Sequence, residues 1–397
     1  MEITLPNIEK LIHSKGDNFV KQYYEDSPTL DFELVQTTPF IISSKKESYF
    51  ITSKIDDEIP EGCDYALLAT RKPYKKYFLA NTLKLTRWIK HPSFKDLSPQ
   101  DVVASWRSKF KFIKEDLDND IKGLRPPQIG ALYSILAHIQ NPEDKGIVVM
   151  PTGTGKTETM LSTLIANECK KLLVAVPSDS LRTQLSNKFF NLGLVREFGM
   201  VDATCQNPIV GVIHSKFESE EDLLEFVSKT NVVVTTMSIL GDSNYQQQMA
   251  FSNSFSHLFV DEAHHSEAST WKKFINRFEK EKVFLFTATP FRNDGKNLNG
   301  KIIFNFSLRE AQKQGYYKRI DFLPIREYDK EEADKKIAIK AIAKLREDLD
   351  NGYQHIIMAR CYSKNRAIEV FEHYKEYGDL NPVLVYTGVA GLKDKIK

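Results

Sequence analysis

From about residue 146 onward the chain repeats one pattern, a short β-branched apolar run followed by a stretch of helical periodicity. The runs are Gly146 to Met150, Leu172 to Val176, Ile209 to Ile213, Val232 to Thr235, Leu258 to Val260 and Val283 to Phe286. Strands apolar on both faces must be covered on both faces, and alternation with helices points to an α/β fold in which helices wrap a parallel sheet. A chain of 397 residues, 41% of them apolar, has material for roughly two to three such cores. Its 55 basic and 53 acidic side chains nearly cancel, so affinity for a charged partner has to come from local patches. Cys63, Cys169, Cys205 and Cys361 are far apart, without the spacing of a zinc site or a disulfide framework, which fits a reducing, cytoplasmic setting. No secretion signal or membrane span is visible.

Outside the repeat the patterns change. Phe32 to Phe40, Tyr49 to Ser53 and Tyr65 to Thr70 alternate as antiparallel strands do, and predict a small mixed domain before residue 115. Beyond residue 300, strands are expected at Lys301 to Phe306, Ile320 to Ile325, His355 to Ala359 and Pro382 to Tyr386. Helices are expected at Leu308 to Gln314, Glu331 to Leu349 and Ser363 to Tyr377.

The strongest chemical signal is Met150-Pro-Thr-Gly-Thr-Gly-Lys-Thr157, between a strand and a helix. Such a loop turns backbone N–H groups and a helix N-terminus toward a polyphosphate, and Gly153 and Gly155 allow close approach. Lys156 would reach the β and γ phosphates of ATP, and Thr157 would offer its hydroxyl to Mg²⁺. Pro151, Thr152 and Thr154 complete the cradle; Met150 stands where the general motif has glycine. The acidic partner is Leu258-Phe-Val-Asp-Glu-Ala-His-His265, in which Asp261 would hold the magnesium and Glu262 would orient the attacking water. Adjacent histidines on a loop point apart, so His264 is read as bonding across to the next motif rather than to a metal.

That motif, Phe286-Thr-Ala-Thr-Pro-Phe-Arg292, completes a set that resembles superfamily 2 DEAD/DEAH-box helicases, in the branch of the type I and type III restriction enzyme translocating (Res) subunits. The resemblance implies that Thr287 and Thr289 couple the nucleotide site to nucleic-acid movement. It also implies that Arg125 and Gln128, in Gly123-Leu-Arg-Pro-Pro-Gln128, contact the nucleotide, Gln128 at the adenine edge; Gln128 is otherwise an ordinary helix-start residue. Pro177, Ser178 and Arg182, with Thr235 and Thr236, match segments that contact nucleic acid in that family, although Arg182 also suits a salt bridge.

The fold implied is a RecA-like P-loop domain with a parallel sheet at 115–310. A small mixed α+β accessory domain precedes it at 1–114, and a connector with an incomplete second RecA-like domain follows at 311–397. The function implied is an ATP-dependent helicase or translocase using ATP and Mg²⁺ on single- or double-stranded DNA. A nuclease or another effector protein as partner, a setting in antiphage defence and no membrane association go with it. The alternative is an ATP-binding regulatory or scaffold component without motor activity. The family's last arginine-bearing motifs do not occur, so residues 1–397 read as a portion of a larger motor that would bind ATP but hydrolyse it slowly.

One further segment stands out: between Asp64 and Asp96 there is no acid, but Arg71, Lys72, Lys75, Lys76, Lys84, Arg87, Lys90 and Lys95 are interleaved with Tyr74, Tyr77, Phe78 and Trp88. Either the cations and rings together guide nucleic acid, or the cations are a solvated face and the rings are core.

Overall fold

The computed structural model describes residues 1–265, 269–289, 298–318 and 321–385. It divides into two units, Met1–Lys318 and Arg319–Lys397. The first is built on a nine-stranded sheet, and the repeat from residue 146 supplies its parallel part. The strands are β10 (Gly146–Val149), β11 (Leu172–Val176), β12 (Ile209–Val212), β13 (Val232–Thr236), β14 (His257–Val260), β15 (Val283–Thr287) and β16 (Lys301–Asn305). They lie in the order β16-β10-β15-β14-β11-β13-β12. Between β10 and β15 nearly every residue in these runs is buried, which is why the strands read as unbroken apolar segments. Their boundaries fall within a residue or so of those the sequence predicts.

The N-terminal region is joined to this sheet rather than standing beside it. A hairpin of β2 (Ile8–Lys15) and β3 (Asn18–Glu25) pairs antiparallel with β12, Val20 opposite Gly211, and so extends the parallel sheet by two strands. Short β1 (Glu2–Thr4) and β4 (Thr29–Asp31) form a separate pair. A second sheet follows the order β5 (Glu33–Thr37), β6 (Phe40–Ser44), β7 (Glu47–Thr52), β8 (Tyr65–Ala69) and β9 (Leu85–Lys90). Its core gathers Phe32, Phe40, Tyr49, Phe78 and Trp88. Helix α1 (Tyr74–Leu79) links β8 to β9; α2 (Pro99–Trp106) begins with a Ser98–Asp101 capping box and buries Trp106 completely.

In the second unit the helices Lys330–Asp350 and Lys364–Lys375 meet through Ala338, Ile342 and Tyr374. The strands expected at 320–325, 355–359 and 382–386 are a correction: among the described residues none of these segments pairs with a neighbour, and Ile356, Met358 and Val385 are exposed. A β-branched run is a strand only when a ladder accepts its backbone groups. Tyr386 and the ending from 391 to 397 lie outside the described residues. Among the described residues no helix is long and apolar enough to cross a membrane.

Two side chains show what fastens this frame. Asn18, almost fully buried, accepts the N–H groups of His214 (2.7 Å) and Ser215 (3.0 Å) and donates to the Ser215 carbonyl (3.1 Å), riveting the hairpin to the loop after β12. Asn18→Ala should cost about 2–4 kcal/mol in denaturant unfolding of the whole chain, since it orphans three backbone groups; a loss below about 0.5 kcal/mol would show the rivet to be idle. At the start of β14, His257 is bonded to Asn167 (3.1 Å) and Ser256 (3.0 Å), and burial, then the charge of Lys282, pushes its pKa down to about 4. The unfolded chain therefore takes up this proton first, and stability should fall as pH drops from about 6.5 to about 4, by up to about 3 kcal/mol. His257→Gln should flatten that part of the pH–stability curve.

Candidate nucleotide site

The site forms where β10, β14 and β15, three neighbouring parallel strands, reach their C-terminal ends, the edge at which open α/β sheets leave room for ligands. After β10 the chain turns through Pro151 to Gly155 and enters α4 (Lys156–Ala166). The turn is self-locking, because Thr154 donates both its N–H (3.2 Å) and its hydroxyl (2.7 Å) to the Pro151 carbonyl. Gly153 (φ +82°) and Gly155 (φ +97°, the residue that caps α4) adopt left-handed backbone that a side chain would strain. Thr152 is exposed and Thr157 half-buried at the mouth of the loop.

Lys156 is 8% exposed, and its ammonium lies 3.1 Å from Glu262 Oε1 and 3.5 Å from the Met150 carbonyl. Asp261 follows β14 directly, with its N–H bonded to Ala175 (2.9 Å). Burial raises its pKa to about 6, with the Lys156 charge pulling it down and Glu262 pushing it up. Among the described residues its Oδ1 is buried without a hydrogen-bond partner. Glu262 sits at φ +47°, an uncommon conformation for a residue with a side chain and one that collects at functional sites. His264 Nδ1 is 3.5 Å from Glu262 Oε2 and 3.3 Å from the hydroxyl of Thr287, the buried last residue of β15. Thr287 Oγ1 in turn donates to the Thr289 carbonyl (2.8 Å) and accepts the Thr289 N–H (3.2 Å). Pro290, Phe291 and Arg292 of the same motif lie outside the described residues.

The start of α3 (Pro126–Gln140) packs against the loop between β10 and α4. Gln128 Oε1 accepts the Arg125 N–H (2.7 Å), the bond of a helix-start residue, while its amide packs on the loop: a Cβ built on Gly155 would fall 1.8 Å from Gln128 Nε2. Arg125 lies over the Tyr316 ring (5.6 Å to its centroid) and 3.6 Å from Glu115. Tyr316 and Tyr317 are absent from the residues expected at the site, yet the Tyr317 hydroxyl is 3.4 Å from where a Gly153 Cβ would be. Their signal was the Gly-Tyr-Tyr run at 315–317, closing the helix Leu308–Lys313.

The residues expected at nucleic acid separate into two groups. Pro177 is half-buried and Ser178, which caps α5 (Asp179–Asn191), is exposed. Arg182 is only 5% exposed, paired with Asp179 (2.9 Å) and donating to His214 Nδ1 (2.7 Å). That bond suits a neutral imidazole, and burial followed by the Arg182 charge holds the His214 pKa below its usual value. Thr235 and Thr236 are buried, and the Thr235 hydroxyl is given to the Ile213 carbonyl (3.3 Å). The Thr235 hydroxyl is thus already engaged by a neighbouring carbonyl, as buried polar groups generally are.

Residues 121–292 match the family model described as the res subunit of type III restriction enzymes. A DNA 3'-5' translocase, XPB2, of Sulfurisphaera tokodaii is 29% identical over 252 residues, 62% of this chain and 46% of the relative. A putative helicase of Sulfolobus islandicus filamentous virus is 26% identical over 270 residues, 63% of this chain and 42% of the relative. The chain thus spans less than half the length of these curated relatives. Among solved structures, a nuclease-deletion mutant of the Type ISP restriction-modification enzyme LlaGI with a DNA substrate mimic is 22% identical over 57% of this chain and 23% of that one, with a TM-score of 0.34. The Hef helicase domain of Pyrococcus furiosus is 18% identical over 62% of this chain and 52% of that one, with a TM-score of 0.33.

The packing of Gln128 on Gly155 makes a separable prediction. Gly155→Ala should destabilise the chain by about 2–4 kcal/mol through strain and clash together. Gln128→Ala in the same chain should relieve the clash and leave the strain, so the double-mutant cycle should show a coupling of about 1 kcal/mol or more. Additive losses would mean that the amide does not rest on the loop.

Proposed function

We propose, for a chain that resembles superfamily 2 helicases and matches the res-subunit family across residues 121–292, an ATP-dependent motor lobe that moves along or unwinds DNA. The observation that carries this reading is the convergence of Lys156, Asp261, Glu262 and Thr287 at the ends of adjacent strands, with a glycine cradle opening onto a helix N-terminus. Two carboxylates against one ammonium leave the enclosed group one positive charge short. The unpartnered Asp261 Oδ1, with a pKa raised by burial, suits magnesium and its waters, held by Asp261 and the Thr157 hydroxyl. When bound, the ion supplies positive charge to the phosphates.

Lys156 leaves Glu262 for the β and γ phosphates, and the N–H groups of residues 153 to 157 cradle them. Glu262, released, orients the attacking water and accepts its proton. His264 then reports the state of Glu262 to Thr287 and Thr289, which gives the nucleotide a route to the nucleic-acid side. Arg125, Gln128 and Tyr316 form the base end. DNA as the track, a nuclease as partner and a place in antiphage defence belong to the same proposal.

Lys156→Ala should weaken ATP binding by at least about tenfold in titration calorimetry. Glu262→Gln should keep binding within a few-fold and lower turnover by a hundredfold or more. Equal turnover in Glu262→Gln and the parent protein, measured with and without DNA, would remove Glu262 from the chemistry.

A further inference from the structure

The segment without acids between Asp64 and Asp96 holds eight of the chain's 55 basic side chains, so the rest of the chain has 47 basic against 53 acidic residues. Positive charge is therefore local to β8, α1 and β9. The structure separates its two ingredients. Phe78 and Trp88 are buried in the core of the small sheet, and Tyr74 packs on Phe40 (5.5 Å between ring centroids). Arg71, Lys72, Lys75, Lys76 and Lys84 are exposed, and none has a carboxylate within ion-pair distance among the described residues. Where β8 ends and β9 begins, Thr70, Arg71, Tyr77, Thr82, Leu83 and Lys84 line a cavity of about 350 Å³. Its lining combines apolar surface from Tyr77 and Leu83 with two cations and two hydroxyl residues, and a sugar-phosphate segment fits that chemistry.

We propose that this face is a docking site for the phosphate backbone of double-stranded DNA, centred on Arg71 and Lys84. The duplex is favoured over a single strand because sequence-tolerant binding of single strands relies on rings that stack bases, and all four aromatic side chains here pack on the core of the small sheet. Unpaired cations on a shallow surface suit the closely spaced phosphates of a duplex. The face is carried by the module whose β2–β3 hairpin is hydrogen-bonded into the sheet that holds the nucleotide site, so a duplex docked there is held to the ATP-binding lobe. The inference rests on the proposed action on DNA and adds where and in what form DNA is first held.

The test compares two double variants of equal charge change in the full chain: Arg71→Gln with Lys84→Gln, and Lys45→Gln with Lys46→Gln. The second pair sits at the β6–β7 turn, the opposite end of the same sheet. Binding of a random-sequence 25-base-pair duplex and of oligo-dT is measured over a range of salt, together with ATP binding. The first variant should bind duplex more weakly, with a log–log salt slope shallower by roughly 0.9 for each phosphate no longer neutralised, about two units in all. The Lys45/Lys46 variant should keep the parent slope, and ATP binding should be the same in all three. Equal slope changes in the two variants would mean a diffuse field rather than a site and would overturn the proposal. So would a preference for oligo-dT that disappears in Tyr77→Ala. Parent protein that binds ATP but no DNA of either form would overturn the broader reading as well.

Discussion

Two carboxylates and one ammonium are enclosed at the ends of β10 and β14, and the arrangement of the molecule follows from keeping them there. Charges removed from water are tolerated only when paired and hydrogen-bonded. Lys156 and Glu262 satisfy one another, whereas Asp261 is left with an orphaned oxygen and a raised pKa. The strands beside β14 are apolar but for Thr287, whose hydroxyl is already given to the Thr289 carbonyl, so relief for Asp261 enters from the open edge. The same burial that makes the sheet stable therefore makes its edge attractive to a cation and a polyphosphate.

Glu262 shows how the backbone takes part. Its left-handed conformation, worth about 1–3 kcal/mol of strain, aims one oxygen at Lys156 and the other toward His264. A residue so placed has two alternative partners for one charge, and when a phosphate claims the ammonium the carboxylate is free to act on His264 and, through it, on Thr287. A short polar chain thus spans three neighbouring strands inside an otherwise apolar frame.

Much of this was legible in the sequence because burial on both faces leaves a plain trace. The runs at 172–176 and 232–236 are continuous, and the loop at 150–157 stands between a strand and a helix where its glycines have a backbone reason to be. What was not legible depends on partners distant in the chain. Nothing in residues 8–25 says that they will pair with Ile209–Val212, because an antiparallel addition is specified by the receiving edge and by the buried amides that cross to it, Asn18, Gln22 and Asn207. Thr235, at a strand end, and Arg182, in α5, match a family pattern, yet the Thr235 hydroxyl is already engaged by the Ile213 carbonyl and one Arg182 amino group by His214. At 355–359 the composition suits a strand, but composition cannot supply a neighbour.

The hairpin's place in the sheet also has a bearing on how this protein can be cut. β12 would otherwise be the last strand of a parallel sheet, with a row of unpaired N–H and C=O groups along fully buried apolar residues. β3 covers that row, and β2, which carries Lys10, His13 and Lys15 among half-buried and exposed positions, presents a more polar border to solvent. A fragment trimmed to begin near residue 121, where the family match starts, would keep every residue of the nucleotide loop and lose this border. It would be a sheet with a sticky side, prone to pair with its own copies, and its solubility rather than its chemistry would fail first.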